Sequence, residues 1–279
     1  MPDSSTTTSL QAAFTYPFRS PEGFSRFLVG LALLIIGVFI PLLPAIFVYG
    51  YIIRVMRGII EGEAPAMPEW KDWGRLGADG LRGLVAAVVY LGPGSVVMFC
   101  GWVLYLVMYL GGINLLQSAP HAQPTALALV LIFGALGVLF LSLFAGMCLL
   151  LIGGVPLPAA LGHLAARERL GAAFHIFEWG AVLAANRWGY FLAWAVAVGL
   201  ATLIQVAVTL VFFTIILLPV AYVVILPVSL YLLLVAAAMF AQAYREGGAR
   251  LTAASSAGVP APLQPPESLP AEPVAAENI

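Results

Sequence analysis

Three long stretches of the chain carry no Asp, Glu, Lys or Arg, and they constrain the fold more than any other feature. They cover residues 27–53, 83–166 and 188–244. Of the 279 residues, 62% are apolar and only 9% are charged, whereas a soluble globular domain carries about 25% charged residues. So few charges cannot cover a water-facing surface of this size. The sequence therefore predicts an all-α integral membrane protein with lipid around most of its surface.

The lengths of these stretches predict six transmembrane helices. A helix needs about 20 apolar residues to cross a hydrocarbon core of about 30 Å, so the second and third stretches are each long enough for two. A turn-rich segment at residues 111–124 divides the second stretch, and Pro219 divides the third. Pro41 and Pro44 interrupt the first stretch and predict a tight turn there. The predicted spans are residues 20–40, 44–60, 83–110, 125–152, 190–218 and 220–243.

The distribution of Lys and Arg predicts the orientation. If the six helices pair into three helical hairpins, all 12 Lys and Arg residues lie on one side of the bilayer. A single first span would instead give five spans and place Arg19 and Arg26 on the other side. The positive-inside rule favours three hairpins with both termini in the cytoplasm, and five spans stay open as an alternative. Lys71 is the only lysine, a bias that suggests a GC-rich prokaryote and hence a prokaryotic inner membrane.

Each hairpin follows a segment rich in aromatic and charged residues, which predicts amphipathic interfacial helices on the cytoplasmic side. In the middle segment, Pro68 is placed to start a helix, and Trp70 and Trp73 share a face at i,i+3 spacing. Trp70 and Trp73 are therefore predicted interfacial anchors, with a docking surface for a cytoplasmic partner as the alternative. Four charges of alternating sign follow at helical spacing and predict an exposed ladder: Asp72, Arg75, Asp79 and Arg82.

The two ends of the chain differ in composition from the predicted membrane domain at residues 12–250. Residues 1–11 are polar and rich in Ser and Thr, and residues 251–279 are rich in Pro, Ala and Ser. Such segments bury too little apolar surface to offset the entropy lost on ordering. Both ends are predicted to be disordered.

Four motifs resemble a known group of prokaryotic membrane proteins. The chain is similar to the family catalogued as domain of unknown function 4013. That resemblance implies a multi-pass membrane protein, and it carries over no catalytic residue. The motifs are AAFTYPFRSPEGF from Ala12, Gly-Tyr-x-x-Arg at Gly50, Tyr51 and Arg54, PEWKDWGRLGADGL at residues 68–81, and AQAYREG at residues 241–247.

The sequence offers little for catalysis. No Asp, Glu, Lys or Arg lies within a predicted bilayer core, where ionisable groups usually mark proton relays and ion pathways. His175 and Glu178 at i,i+3 spacing could share a metal with His163, but we favour their interpretation as interfacial polar residues. We therefore predict that the protein is not an enzyme and has no catalytic residue, metal or cofactor. With a net charge of −1, no nucleic-acid partner is expected either.

Three polar side chains share one face of the fifth predicted span. Thr202, Gln205 and Thr209 lie at i, i+3 and i+7, which places them on one side of a helix. They suit a polar lining for a substrate or lipid path. They also suit hydrogen bonds between helices, and we favour this second interpretation.

Small residues and a proline mark further positions in the predicted spans. Gly92, Pro93 and Gly94 lie near mid-membrane and form a candidate helix break, because broken helices can expose carbonyls that bind substrates in transporters. Elsewhere, small residues at every fourth position allow helix backbones to approach closely, within the protein or in a homo-oligomer. They are Ala193, Ala197 and Ala201 in the fifth span, and Ser142 and Gly146 in the fourth.

These observations favour a non-catalytic scaffold or accessory subunit. Its expected partners are the lipid bilayer and another membrane or cytoplasmic protein. The alternative is a transporter or channel for a lipid or another weakly polar solute, which would use residues 92–94 and the polar face of the fifth span.

Overall fold

The computed structural model describes residues 11–40, 42–63, 66–118, 126–213 and 218–257. These residues form helices joined by short turns, with no β-strand among them. In chain order the α-helices of the described residues are α1 Gly23–Phe39, α2 Leu42–Glu61, α3 Trp73–Gln117, α4 Ala126–Gly154, α5 Leu157–Arg167, α6 Ile176–Ala185, α7 Arg187–Phe213 and α8 Leu218–Ala257.

Length and composition make this a helical membrane protein. Five helical segments, which include α2, α3, α4, α7 and α8, are long and apolar enough to cross a membrane. α1 has 17 residues, fewer than the roughly 20 that a span needs. The protein has a sixth span only if α1 is counted together with the helical segment Gln11–Phe18 as one span. The two pieces are bent by 81° relative to each other.

The break predicted in the first apolar stretch is confirmed. α1 ends at Phe39 and α2 begins at Leu42, so this stretch is two helices rather than one. Pro44 lies in the first turn of α2, where its missing N–H removes no helical hydrogen bond.

α3 differs most from the prediction. It is a single helix of 45 residues, Trp73–Gln117, about 67 Å long at 1.5 Å per residue. The predicted separate helix starting at Pro68 is wrong, because residues 66–72 form a loop and the helix begins only after Asp72. Pro93 lies inside α3, so Gly92, Pro93 and Gly94 do not break it. The helix also runs past Gly111, where a turn was predicted, and residues 119–125 lie outside the described part.

α2 lies at the centre of the bundle, in contact with α1, α3, α5 and α8. Tyr51, Ile53 and Val55 of α2 join Leu234 and Val235 of α8 in the hydrophobic core. α4 packs along α3, and α7 packs along α8. In their most apolar parts, 50% of the residues of α2 are buried inside the protein but only 11% of α3 and 6% of α7. The outer helices thus present apolar surface of the kind that lipid covers.

Small residues bring α3 and α4 into close contact, as predicted for the fourth span. A Cβ added to Gly94 would lie 2.7 Å from the carbonyl oxygen of Gly146, and one added to Gly101 would lie 2.0 Å from the Ser142 side chain. Gly94 is therefore a packing position. In α7, Ala193 is buried in the core.

Two of the three predicted lead-in segments are helical, and their place at a membrane interface stays a prediction. The segment Gln11–Phe18 and α6 are separate helical pieces that precede α1 and α7. The middle segment is instead the loop at residues 66–72. α5, from Leu157 to Arg167, was not predicted as an element of its own. α8 extends to Ala257, so the predicted disordered tail does not begin at Leu251; residues 1–10 and 258–279 lie outside the described part.

Candidate functional site

The loop at residues 66–72, which contains the Pro-Glu-Trp motif, lies at the end of the bundle where the charged side chains collect. We call this the charged end. Backbone groups outside regular secondary structure still need hydrogen-bond partners, and here side chains supply them. The loop carbonyls accept hydrogen bonds from four side chains: Tyr16 to Ala66 (3.2 Å), Arg26 to Met67, Tyr51 to Pro68 (2.8 Å), and Arg54 to both Glu69 (3.0 Å) and Lys71 (2.7 Å).

An aromatic stack holds the same loop against α2. The rings of Tyr51 and Trp70 lie 3.9 Å apart and are 5° from parallel, and Trp73 lies 5.9 Å beyond Trp70. The Trp70 indole N–H donates to the carbonyl oxygen of Arg26 at 2.8 Å. Trp70 is thus held by protein contacts, while Trp73 is 45% exposed and its anchoring role stays a prediction. The two side chains do adjoin, although no helix turn connects them.

A buried ion-pair network connects α2, α3 and the end of α5. Arg57 is 6% exposed and Asp79 is 2% exposed; Arg57 Nη2 lies 2.9 Å from Asp79 Oδ2. Arg82 binds the other Asp79 oxygen at 2.9 Å. Glu168 forms an ion pair with Arg57 Nε at 3.1 Å and accepts a hydrogen bond from Arg75 at 2.5 Å. Asp79 is therefore a buried bridging carboxylate, and its predicted place in an exposed ladder is wrong.

A polar cavity of about 310 Å³ lies between this network and the loop. Arg54, Arg57, Arg75 and Glu168 line it, together with Tyr16. Each of these side chains already binds the loop or another charged group. The described lining contains no Ser, Cys or His, and its carboxylates are Glu61, Glu63, Asp72 and Glu168.

Two histidines of the charged end converge on one carboxylate. His163 Nε2 lies 3.1 Å from Glu178, and His175 Nδ1 lies 3.0 Å from the other oxygen of Glu178. On its other side, His163 Nδ1 lies 2.5 Å from the Tyr244 hydroxyl. Because the ionised carboxylate only accepts, Nε2 donates to Glu178 and Nδ1 accepts from Tyr244. The three side chains that could have shared a metal do meet, although we favoured interfacial polar residues; the described residues contain no cluster suited to a metal ion.

The same contacts change the acidity of Glu178. Desolvation acts to raise the pKa of Glu178, but the hydrogen bond from His163 and the charge of His175 act in the opposite direction and the net pKa is lowered. A carboxyl whose pKa is lower when folded stabilises the protein above its unfolded pKa and loses that contribution as the pH falls through the folded value. This contact between α5 and α6 is therefore weakest in acid.

The closing motif at residues 241–247 serves the packing of α8. Glu246 accepts from the buried Asn186 side chain at 3.2 Å, and Arg245 donates to the carbonyl oxygen of Ile59 at 3.2 Å. A Cβ on Gly247 would lie 2.5 Å from the carbonyl oxygen of Val182. Sequence reasoning assigned no role to Asn186; its position between α6 and α7, where a polar residue interrupts an apolar run, is the signal that could have found it.

The polar face of the fifth span does not line an interior path in the described structure. Thr202, Gln205 and Thr209 are all exposed on α7. Both threonine hydroxyls donate to carbonyl oxygens of their own helix at 2.8 Å, those of Val198 and Gln205. The two transport features do not meet either, because Gly94 packs on α4.

One protein-family model matches more than half of the chain. The family described as a protein of unknown function, DUF4013, matches residues 33–213. The chain belongs to the DUF4013 family. No curated protein and no solved structure matches it. The Gly-Tyr-x-x-Arg and Pro-Glu-Trp motifs fall inside the DUF4013 match, whereas the motifs starting at Ala12 and at residue 241 lie outside it and contact the same end of the bundle.

Removal of the Tyr51 hydroxyl is expected to loosen the loop without unfolding the protein. Tyr51→Phe keeps the ring that stacks on Trp70 but loses the hydrogen bond to Pro68, worth about 1 kcal/mol. Lys71 lies in the loop and is the only lysine, so a lysine-specific protease reports local opening there. Cleavage should become about fivefold faster.

Tyr49→Phe is the matched control for this measurement. Tyr49 is a half-buried residue of the same helix, and its hydroxyl makes no hydrogen bond to the described residues. Equal cleavage rates for the two variants would show that the Tyr51 hydroxyl does not hold the loop.

Proposed function

We propose that this DUF4013 protein is a non-catalytic scaffold or accessory subunit of a prokaryotic inner membrane, with its charged end in the cytoplasm. The observation that supports this most is the way the charged end is built. Its buried polar groups bind one another and the loop at residues 66–72. Together they form a rigid surface at the charged end, which we call the platform. Side chains of both signs remain exposed on the platform: Glu22, Glu69, Lys71, Arg75, Arg167 and Glu178.

A rigid surface of mixed charge suits recognition of another protein. Fixed groups of both signs favour a complementary partner and disfavour others, and a preorganised loop loses little entropy on binding. Transport has less support, because α3 is unbroken at residues 92–94, Gly94 packs on α4, and the polar side chains of α7 are exposed. Enzymatic activity has less support, because the polar cavity is lined by carboxylates and arginines without a Ser, Cys or His among its described residues.

The single lysine allows a direct test in native membranes. A membrane-permeant amine cross-linker can react with the 75%-exposed side chain of Lys71, and otherwise only with the amino terminus. We expect a discrete cross-linked species of fixed mass that contains this chain and one partner. Lys71→Arg keeps the charge but removes the reactive amine, so the species should disappear in that variant.

Two results would count against the scaffold. One is the lack of any discrete species that depends on Lys71. The other is movement of lipid or solute across proteoliposomes that contain the purified chain, above the rate in protein-free liposomes, which would favour the transport alternative.

A further inference from the structure

One side of α7 repeats with the period of a coiled coil and is exposed along its length. Among the described helices, α7 packs mainly on α8 and also touches α6, so it lies at the edge of the bundle. Six exposed residues follow one another along it at alternating steps of four and three, the spacing of a helix that packs on a second helix. We call them the open face: Phe191, Ala195, Val198, Thr202, Gln205 and Thr209.

The open face lies away from the rest of the protein. A groove between α7 and α8 is lined by a different set of α7 residues, which includes Val196, Leu200 and Ile204. At 3.6 residues per turn, the centre of that set is about 150° around the helix from the centre of the open face. A further helix can therefore lie along the open face without displacing α8.

Gln205 places an amide inside the membrane-spanning part of the open face. It lies about 27 Å along α7 from Arg187 at 1.5 Å per residue, and the apolar run continues from there to Phe213. Its side chain is exposed and makes no hydrogen bond to a described residue; only its backbone carbonyl is used, by the Thr209 hydroxyl at 2.8 Å. Lipid tails neither donate nor accept hydrogen bonds, so this amide gains a partner only when another polar group covers it.

The open face is chemically complementary to itself. Two copies of a membrane protein have the same orientation in the bilayer, so a two-fold pair along α7 is parallel and sets each residue opposite its own copy. An amide carries both donors and an acceptor, and a hydroxyl can also do both. Gln205 can therefore pair with Gln205, at the same depth, and the described open face carries no charge that needs an opposite one.

We propose that α7 packs along α7 of a second copy of this chain through the open face, with the two Gln205 side chains hydrogen-bonded to each other. A single polar residue in the seam between two helices fixes their register and number. The small side chain of Ala195 allows the backbones to approach closely nearer the charged end. This inference is independent of the scaffold function, because it concerns a surface in the lipid and not the charged end.

Disulfide cross-linking in native membranes tests which side of α7 meets the second copy. The native Cys100 and Cys148, which lie on α3 and α4, are first replaced by Ala in the full-length chain. Val198→Cys should then give a product of twice the mass of the chain on mild oxidation, because residues of the open face come within disulfide reach of their own copies. Val196→Cys makes the same substitution on the side of α8, and should stay monomeric.

Subunit counting of the full-length chain in liposomes tests the amide itself. As the protein is diluted in lipid, Gln205→Leu should need about tenfold higher protein density than the unmodified chain to form dimers. Gln205→Asn keeps an amide and should stay within about threefold of the unmodified chain. The monomer of Gln205→Leu should unfold at an unchanged temperature, because the side chain makes no hydrogen bond within the described protein.

Four outcomes would overturn the second copy as the occupant of the open face. Three are equal cross-linking of Val198→Cys and Val196→Cys, an unchanged dimer in Gln205→Leu, and monomers at every protein density. The fourth is a Val198→Cys product whose mass differs from twice that of the chain, because a different protein would then cover this face.

Discussion

Arg57→Ala is expected to destabilise the protein by about 3 kcal/mol. Arg57 ties three elements together, since its guanidinium binds Asp79 of α3, the carbonyl oxygen of Ala165 in α5, and Glu168 just after α5. Removal of the cation leaves the carboxylate of Asp79, which is 2% exposed, with only the half-exposed Arg82 beside it. Breaking one half of a buried pair typically costs 3–5 kcal/mol; the contact with Arg82 places this case at the lower end.

Two further variants separate the buried charge from ordinary packing loss. Arg82→Ala removes only the outer partner of Asp79, whose side chain is 40% exposed, and should cost less than about 1 kcal/mol. The double variant Arg57→Leu with Asp79→Leu removes both buried charges. It should be more stable than Arg57→Ala, because buried pairs are often replaced by apolar residues at little cost.

Thermal unfolding in one detergent compares all four proteins. A loss in Arg82→Ala as large as in Arg57→Ala, or a double variant less stable than the single one, would show that the buried pair does not hold the charged end together.

The helical membrane fold could be predicted because one physical constraint dominates it, namely that backbone polar groups in lipid must be hydrogen-bonded within the protein. Tracts without charges that exceed the thickness of the hydrocarbon core have few alternatives to helices in lipid. The helix break before Pro44 could be predicted from the effect of proline on a helix. The span count stays at five or six because α1 is close to the limiting length, which no local pattern resolves.

The loop at residues 66–72 could not be predicted from its own sequence. Pro68 followed by Trp70 and acidic residues is typical of a helix start, and local propensity gives no sign of a loop. The alternative is stabilised by Tyr16, Arg26, Tyr51 and Arg54, which come from other parts of the chain. Asp72 then adopts φ of 55° at the start of α3, a conformation that Asp tolerates better than most residues.

The buried network was missed for a related reason. Asp79 and Arg82 at i,i+3 spacing read as a surface pair, and only the position of Arg57 on a neighbouring helix shows that Asp79 is internal. His163 and Tyr244 likewise meet across the bundle. The small-residue spacing of Ser142 and Gly146, in contrast, was read correctly, because close helix packing requires small residues whatever the partner.

Gly80→Ala is expected to be among the most damaging single-methyl changes in the chain, with a loss of about 3 kcal/mol. A Cβ on Gly80 would lie 1.8 Å from the carbonyl oxygen of Ile46 and 2.9 Å from the amide nitrogen of Gly50. These are backbone atoms of α2, so no side chain can rotate away and the two helices must separate. Separation here also stretches the contact from the neighbouring Asp79 to Arg57.

Gly77→Ala provides a control of opposite sign on the same helix. A Cβ on Gly77 would meet only the ring of Phe47, at an ordinary 3.5 Å. Alanine in a helix interior is favoured over glycine by roughly 0.5–1 kcal/mol, so this variant should be as stable as the unmodified protein or more so. Thermal unfolding in one detergent should therefore show a large loss of stability in Gly80→Ala and none in Gly77→Ala. Similar shifts would contradict direct backbone contact between α2 and α3, since intrinsic helix propensity affects both positions alike.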